Sequence, residues 1–131
     1  MTYGISATVD GGFYATVAAV RAALADQGFG VLTELDLAAT LKAKLDVDVP
    51  RQVVLGACNP ALAHAALQAE QSIGLLLPCN VVVRDGDGGG VVVEALDPAV
   101  MVEVTGNDAL RPVAEDAAAR LRAALAAVGP A

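Results

Sequence analysis

The sequence predicts an α+β fold in which strands and helices are mixed without the regular alternation of a doubly wound sheet. Three observations lead there. Valine-rich runs at residues 53–55, 81–83 and 91–93 read as buried strands, and residues 13–24 and 110–128 repeat apolar side chains at helical spacing. Glycine- or proline-centred breaks separate these runs. At 131 residues the chain has the length of one core, and residues 1–131 are taken as a single domain. A hydrophobic share of 56% with only 3% aromatic residues means a core of Ala, Val and Leu.

Residues 3–9 alternate loosely and predict a strand that ends at the Asp10-Gly11-Gly12 turn. Phe13, Val17, Val20 and Leu24 then mark one stripe of a helix that Gly28 should stop. A second strand is expected at 31–35. A short helix should follow at 38–45, with Lys42 and Lys44 off its apolar side, and then a loop at 46–50. Val53, Val54 and Leu55 read as a buried strand running into Gly56. Asn59 and Pro60 combine a good N-cap with the residue best tolerated in the first helical turn, so a helix should run from there to about residue 70.

Pro78 should edge the next strand because it has no N–H for a ladder. Asp85 to Gly90, DGDGGG, reads as a hairpin loop into a strand at 91–95. Asp97-Pro98 repeats the cap-then-proline pattern before a short helix or turn. Leu110, Ala114, Ala117, Leu121, Leu125 and Val128 define one stripe of the last helix, and residues 129–131 read as a frayed tail.

The net charge is −7, and Lys and Arg do not cluster. Nucleic-acid affinity is dominated by neutralising phosphates, so this balance argues against DNA or RNA as a partner. No apolar run is long enough to span a bilayer, and the N-terminal residues lack the pattern of a secretory signal. The expectation is a soluble cytoplasmic protein without membrane partners, its two cysteines reduced.

Chemistry concentrates in two segments, GACNPALAHAAL (56–67) and GLLLPCNVVV (74–83), which hold both cysteines and the single histidine. Cys58 sits one residue before the expected N-cap, near the positive end of a helix dipole, where a thiolate is favoured. It is the candidate catalytic or ligating atom. Strand alternation puts Cys79 with Val81 and Val83, where a cysteine commonly serves as a small core residue. His64 falls opposite the apolar side of its helix, towards solvent or a partner subunit. Glu70 is either a terminal residue reaching water or an acid at the edge of a pocket.

Several motifs are excluded by spacing. A calcium loop starting at Asp85 would need an oxygen donor at position 89 and a glutamate at 96, where the chain has Gly89 and Leu96. Neither a dinucleotide-binding nor a Walker glycine pattern occurs. Two cysteines and one histidine do not complete a zinc set in one chain, although two chains together could supply four thiolates.

The paired ACNP (57–60) and LLPCN (76–80) motifs, with Gly28-Phe29, Leu62-Ala63, Ala66-Leu67, Asp97-Pro98 and Met101, resemble the bacterial and archaeal domain-of-unknown-function family 302. The strand before Gly56 lacks an aromatic residue expected in many relatives. The resemblance implies an α+β domain similar to the TATA-box-binding-protein-like fold, with two main helices on one face of a curved antiparallel sheet, and a homodimer. It brings no reaction, substrate or cofactor. It nominates Cys58, Asn59, Pro60, Pro78, Cys79 and Asn80.

Three functional readings follow. In the first, Cys58, Asn59, Cys79 and Asn80 line a site for a small molecule, or Cys58 and Cys79 hold a metal. In the second, Cys58 is the nucleophilic or redox thiol of an enzyme. In the third, the cysteines only pack, and an Ala-rich helix face drives dimerisation.

Overall fold

The computed structural model describes residues 3–129. Five strands form one antiparallel sheet in the order β1-β5-β4-β3-β2: β1 Gly4–Val9, β2 Gly30–Asp36, β3 Gln52–Cys58, β4 Cys79–Asp85 and β5 Val91–Leu96. Among them run α1 Phe13–Asp26, α2 Leu37–Leu45, α3 Pro60–Ala69, α4 Ala99–Thr105 and α5 Arg111–Val128. This is the expected α+β class.

Alternation within the strands sorts the two sheet faces. Val53, Leu55, Val81, Val83, Val91, Val93 and Ala95 are buried, and they pack with Val17, Val20 and Leu24 of α1 and Leu121 and Leu125 of α5. The stripes predicted for both helices are therefore the buried ones. Alanines 114, 117, 118 and 124 of α5 are buried within the chain as well, so that stripe is not a free surface for self-association.

Local chemistry sets the helix ends. Gly28 takes φ +83°, and the amides of Gly28 and Phe29 close α1 on the carbonyls of Ala25 and Leu24. The Asp36 side chain caps α2 through the Ala39 amide, and Asp97 accepts from Ala99 at the entry to α4. The DGDGGG segment turns β4 into β5, as expected, with the Gly86 amide on the Gly90 carbonyl.

Three features differ from expectation. A 3-10 helix over Gln71–Leu76 follows α3, seated by buried Ile73. A second apolar cluster joins Ala66, Ile73, Met101, Val102, Leu110 and Ala114 beside the main core. Of the expected C-terminal tail, Gly129 is buried, while residues 130 and 131 lie outside the described residues.

The opposite sheet face carries Asn80, Val82 and Arg84 of β4 with Glu94 and Leu96 of β5, crossed by the Arg84–Glu94 ion pair at 2.7 Å. No helix among the described residues is long and apolar enough to cross a membrane.

Candidate functional site

Strand register brings the two cysteines together. β3 pairs with β4 so that Ala57 lies opposite Cys79 and Gly56 opposite Asn80, and Cys58 is the next residue along β3. Here β3 ends and α3 begins. The Asn59 side chain accepts from the Leu62 amide at 3.2 Å, Pro60 opens the helix, and the Asn59 carbonyl takes the Ala63 amide. The predicted cap is in place, so the chain turns immediately after Cys58.

A cavity lies at this junction, at the seam between the main core and the second apolar cluster. Cys58, Cys79 and Asn59 line it together with Phe29 and Ala57 on the sheet side and Leu62 and Ala66 of α3. Met101 of α4 and Val113 and Ala117 of α5 close the far wall. The cavity is narrow, about 20 Å³, room for little more than one water molecule. Both cysteines are free and half-buried. Burial pushes the Cys79 thiol up, and the nearby Cys58 pushes it further in the same direction.

The remaining nominated residues separate. Asn80 is exposed on the opposite face, where it lines a second groove of about 220 Å³ with Tyr3, Val82, Glu94 and Leu96. A single pocket lined by both Cys-Asn segments is thus not what the chain builds: Cys58, Asn59 and Cys79 share one cavity and Asn80 another. The cause is alternation, since the residue after an inward Cys79 must point outward. Pro78 packs on the outer side of Gly56, where an added Cβ would stand 2.9 Å from its Cγ and 2.1 Å from Thr33 Oγ1. His64 is exposed and lies off the cavity.

Glu70 has a partner. Its Oε1 accepts from Asn107 Nδ2 at 3.0 Å, and the same amide nitrogen donates to the Ala69 carbonyl at 2.9 Å. It is therefore neither a loose terminal residue nor a member of the cavity wall. Asn107 also accepts from the Ala109 amide and ties the end of α3 to the start of α5. The signal available in the sequence was Gly106-Asn107, a helix stop followed by a cap.

The profile of the family described as "Domain of unknown function DUF302" matches residues 5–128. The chain belongs to the DUF302 family. A solved structure similar to this DUF302 chain is described as "Crystal structure of uncharacterized conserved protein DUF302 from Bacillus stearothermophilus". The two share 28% identity at a TM-score of 0.91, over 98% of this chain and 100% of that one. No curated protein matches the chain.

In this DUF302 chain the cavity wall is apolar apart from the two cysteines and Asn59. Asn59 is the one lining side chain with nitrogen or oxygen atoms, and its oxygen is occupied by the helix cap. Among the described residues no group of three or more His, Cys, Asp and Glu could hold a metal ion. Such a wall offers little to a carbohydrate, nucleotide or hard cation.

Proposed function

We propose that this DUF302 chain is a small-ligand-binding domain whose site is the thiol-lined cavity at the junction of β3, β4 and α3. Cys58 is the ligating thiol at the strand end, Cys79 the thiol on the neighbouring strand, and Asn59 holds the lip by capping α3. The observation that carries the reading is that two cysteines distant in sequence line one cavity and are both free.

An enzyme centred on Cys58 is the less favoured reading. A nucleophilic thiol is activated by a nearby base, and no Asp, Glu or His lines the cavity. Free thiols fit a reducing cytoplasm. The functional unit in this reading is a homodimer. Its support is the concentration of exposed Leu32, Leu35, Leu45, Val47 and Val49 on β2, α2 and the loop after them, where isolated apolar residues would need no explanation.

Native mass spectrometry on protein purified without chelator or reductant tests the reading. The expected result is dimer mass plus a bound species that denaturation releases and that Cys58→Ser and Cys79→Ser fail to carry. If both variants retain every bound species that the parent retains, or the parent carries none, the cavity is packing alone.

A further inference from the structure

The dipeptide Asp-Gly occurs three times, at Asp10-Gly11, Asp85-Gly86 and Asp87-Gly88. It carries a latent reaction, because a glycine amide unshielded by a side chain can reach the carboxyl carbon of the aspartate before it. The amide nitrogen bonds to Cγ of the protonated carboxyl and a Cγ–O bond breaks. The amide hydrogen and the carboxyl hydroxyl leave as water, and a five-membered imide remains. Water then opens the imide at either carbonyl. Opening at the main-chain carbonyl routes the backbone through Cγ and leaves an isoaspartyl residue with a new α-carboxylate. The net change is an isomerisation that needs no oxidant and no cofactor.

The fold treats the three dipeptides differently. At Asp85-Gly86 both reacting groups are held. Arg51 donates to the two carboxylate oxygens at 3.0 and 3.1 Å, and its backbone amide adds a bond at 2.9 Å. The Gly86 amide is committed to the Gly90 carbonyl at 3.0 Å. The side-chain bond from Arg51 also holds the Asp85 carboxyl below the usual carboxylate range, which depletes the protonated form that loses water. Asp10-Gly11 is exposed but spliced between β1 and α1, where the Gly12 carbonyl accepts both the amide and the hydroxyl of Thr16. Ring closure there has to swing the start of α1 and with it the buried Phe13.

Asp87-Gly88 sits at the hairpin tip. Arg51 and Arg84 line a groove with Asp87 but pair with Asp85 and Glu94. Among the described residues the exposed Asp87 carboxylate has no ion pair and no hydrogen bond. The turn is closed by the Gly86 amide on the Gly90 carbonyl and the Gly89 amide on the Gly86 carbonyl, which leaves the Gly88 amide outside its hydrogen bonds. A Cβ added at Gly88 or Gly89 would meet nothing within 4 Å, so the tip has room to pucker into the ring.

We propose that Asp87 is a site of spontaneous isoaspartate formation in the folded protein, while the fold protects Asp85 and slows Asp10. The product presents an isoaspartyl α-carboxylate on an exposed loop, the chemistry that a carboxyl-methylating repair enzyme takes as substrate.

The test is incubation of the full chain at neutral pH in water labelled with a heavy oxygen isotope. Each passage through the imide fixes one labelled oxygen in that aspartate, peptide fragmentation locates it, and electron-transfer fragmentation identifies the isoaspartyl form. The guanidinium-unfolded chain supplies the reference, since there all three dipeptides lose their structural protection and should take label. In the native chain the expected result is label and isoaspartate first at Asp87, slower uptake at Asp10 and almost none at Asp85. Gly88 has no positive φ and open space beside it, so Gly88→Ala should keep the urea midpoint and lose most of the label at Asp87. Native uptake that is equal at the three positions, fastest at Asp10 or Asp85, or missing at Asp87 while the unfolded chain takes it there overturns the proposal. Gly88→Ala labelling like the parent overturns it as well.

Discussion

Cys58-Asn59 ends a strand and starts a helix, whereas Cys79-Asn80 starts a strand and continues along it. Both residues of the first pair border one cavity, because the chain bends into α3 at Asn59 as soon as β3 ends. In the second pair alternation continues. Cys79 lines the helix-covered cavity, and Asn80 emerges on the open face with Glu94 and Leu96. An identical dipeptide therefore has different physical content depending on whether the backbone turns after it.

The contrast can be tested from its strongest element downwards. Gly56, opposite Asn80 in register, has no room for a Cβ, because Thr33 Oγ1 and the Pro78 ring fill the space. Overpacking of this kind typically costs about 1–3 kcal/mol, so Gly56→Ala should lower the unfolding free energy by an amount in that range, read as a lower urea midpoint. A variant as stable as the parent would mean that the Thr33 and Pro78 contacts yield easily.

The two asparagines come next. Loss of an N-cap costs about 1 kcal/mol, so Asn59→Ala should destabilise by that amount in urea unfolding. Asn80→Ala, a change on an exposed strand position, should stay within about 0.5 kcal/mol of the parent. Equal losses at both positions would erase the distinction between the pairs.

The thiols differ in the same sense. Burial and the neighbouring Cys58 both raise the Cys79 pKa, which lowers its thiolate fraction at a given pH. Its alkylation rate should therefore continue to rise with pH above the range of an ordinary thiol. Cys58→Ser removes the smaller of the two causes, so the Cys79 profile should move down in pH yet stay above that of a free thiol. Mass spectrometry of native protein pulsed with iodoacetamide across pH reads this directly, and a Cys79 profile unchanged by the substitution would contradict their proximity.

Much of the fold was legible in the sequence because it is locally encoded. The stripe from Leu110 to Leu125, the Gly28 stop and the Asn59-Pro60 start each depend on residues within a few positions of one another, and each is realised. Even the separation of Asn80 from Cys79 was readable from strand alternation, once the pair was treated as strand and not as motif.

The meeting of Cys58, Cys79 and Met101 was not readable. It depends on β3–β4 register and on α4 closing over α3 and α5, contacts between separate elements that no local pattern reports. The Asn107–Glu70 contact was hidden for the same reason, at a sequence separation of 37.

The central claim is that Cys58 and Cys79 belong to one site, and a trivalent arsenical that bridges two thiols tests it most directly. Phenylarsine oxide added to native protein under reducing-agent-free conditions should give one adduct per chain and protect both cysteines from later alkylation, with Cys58→Ser and Cys79→Ser each abolishing the stable adduct. No adduct on the parent, or both cysteines still open to alkylation after arsenical treatment, would contradict the account.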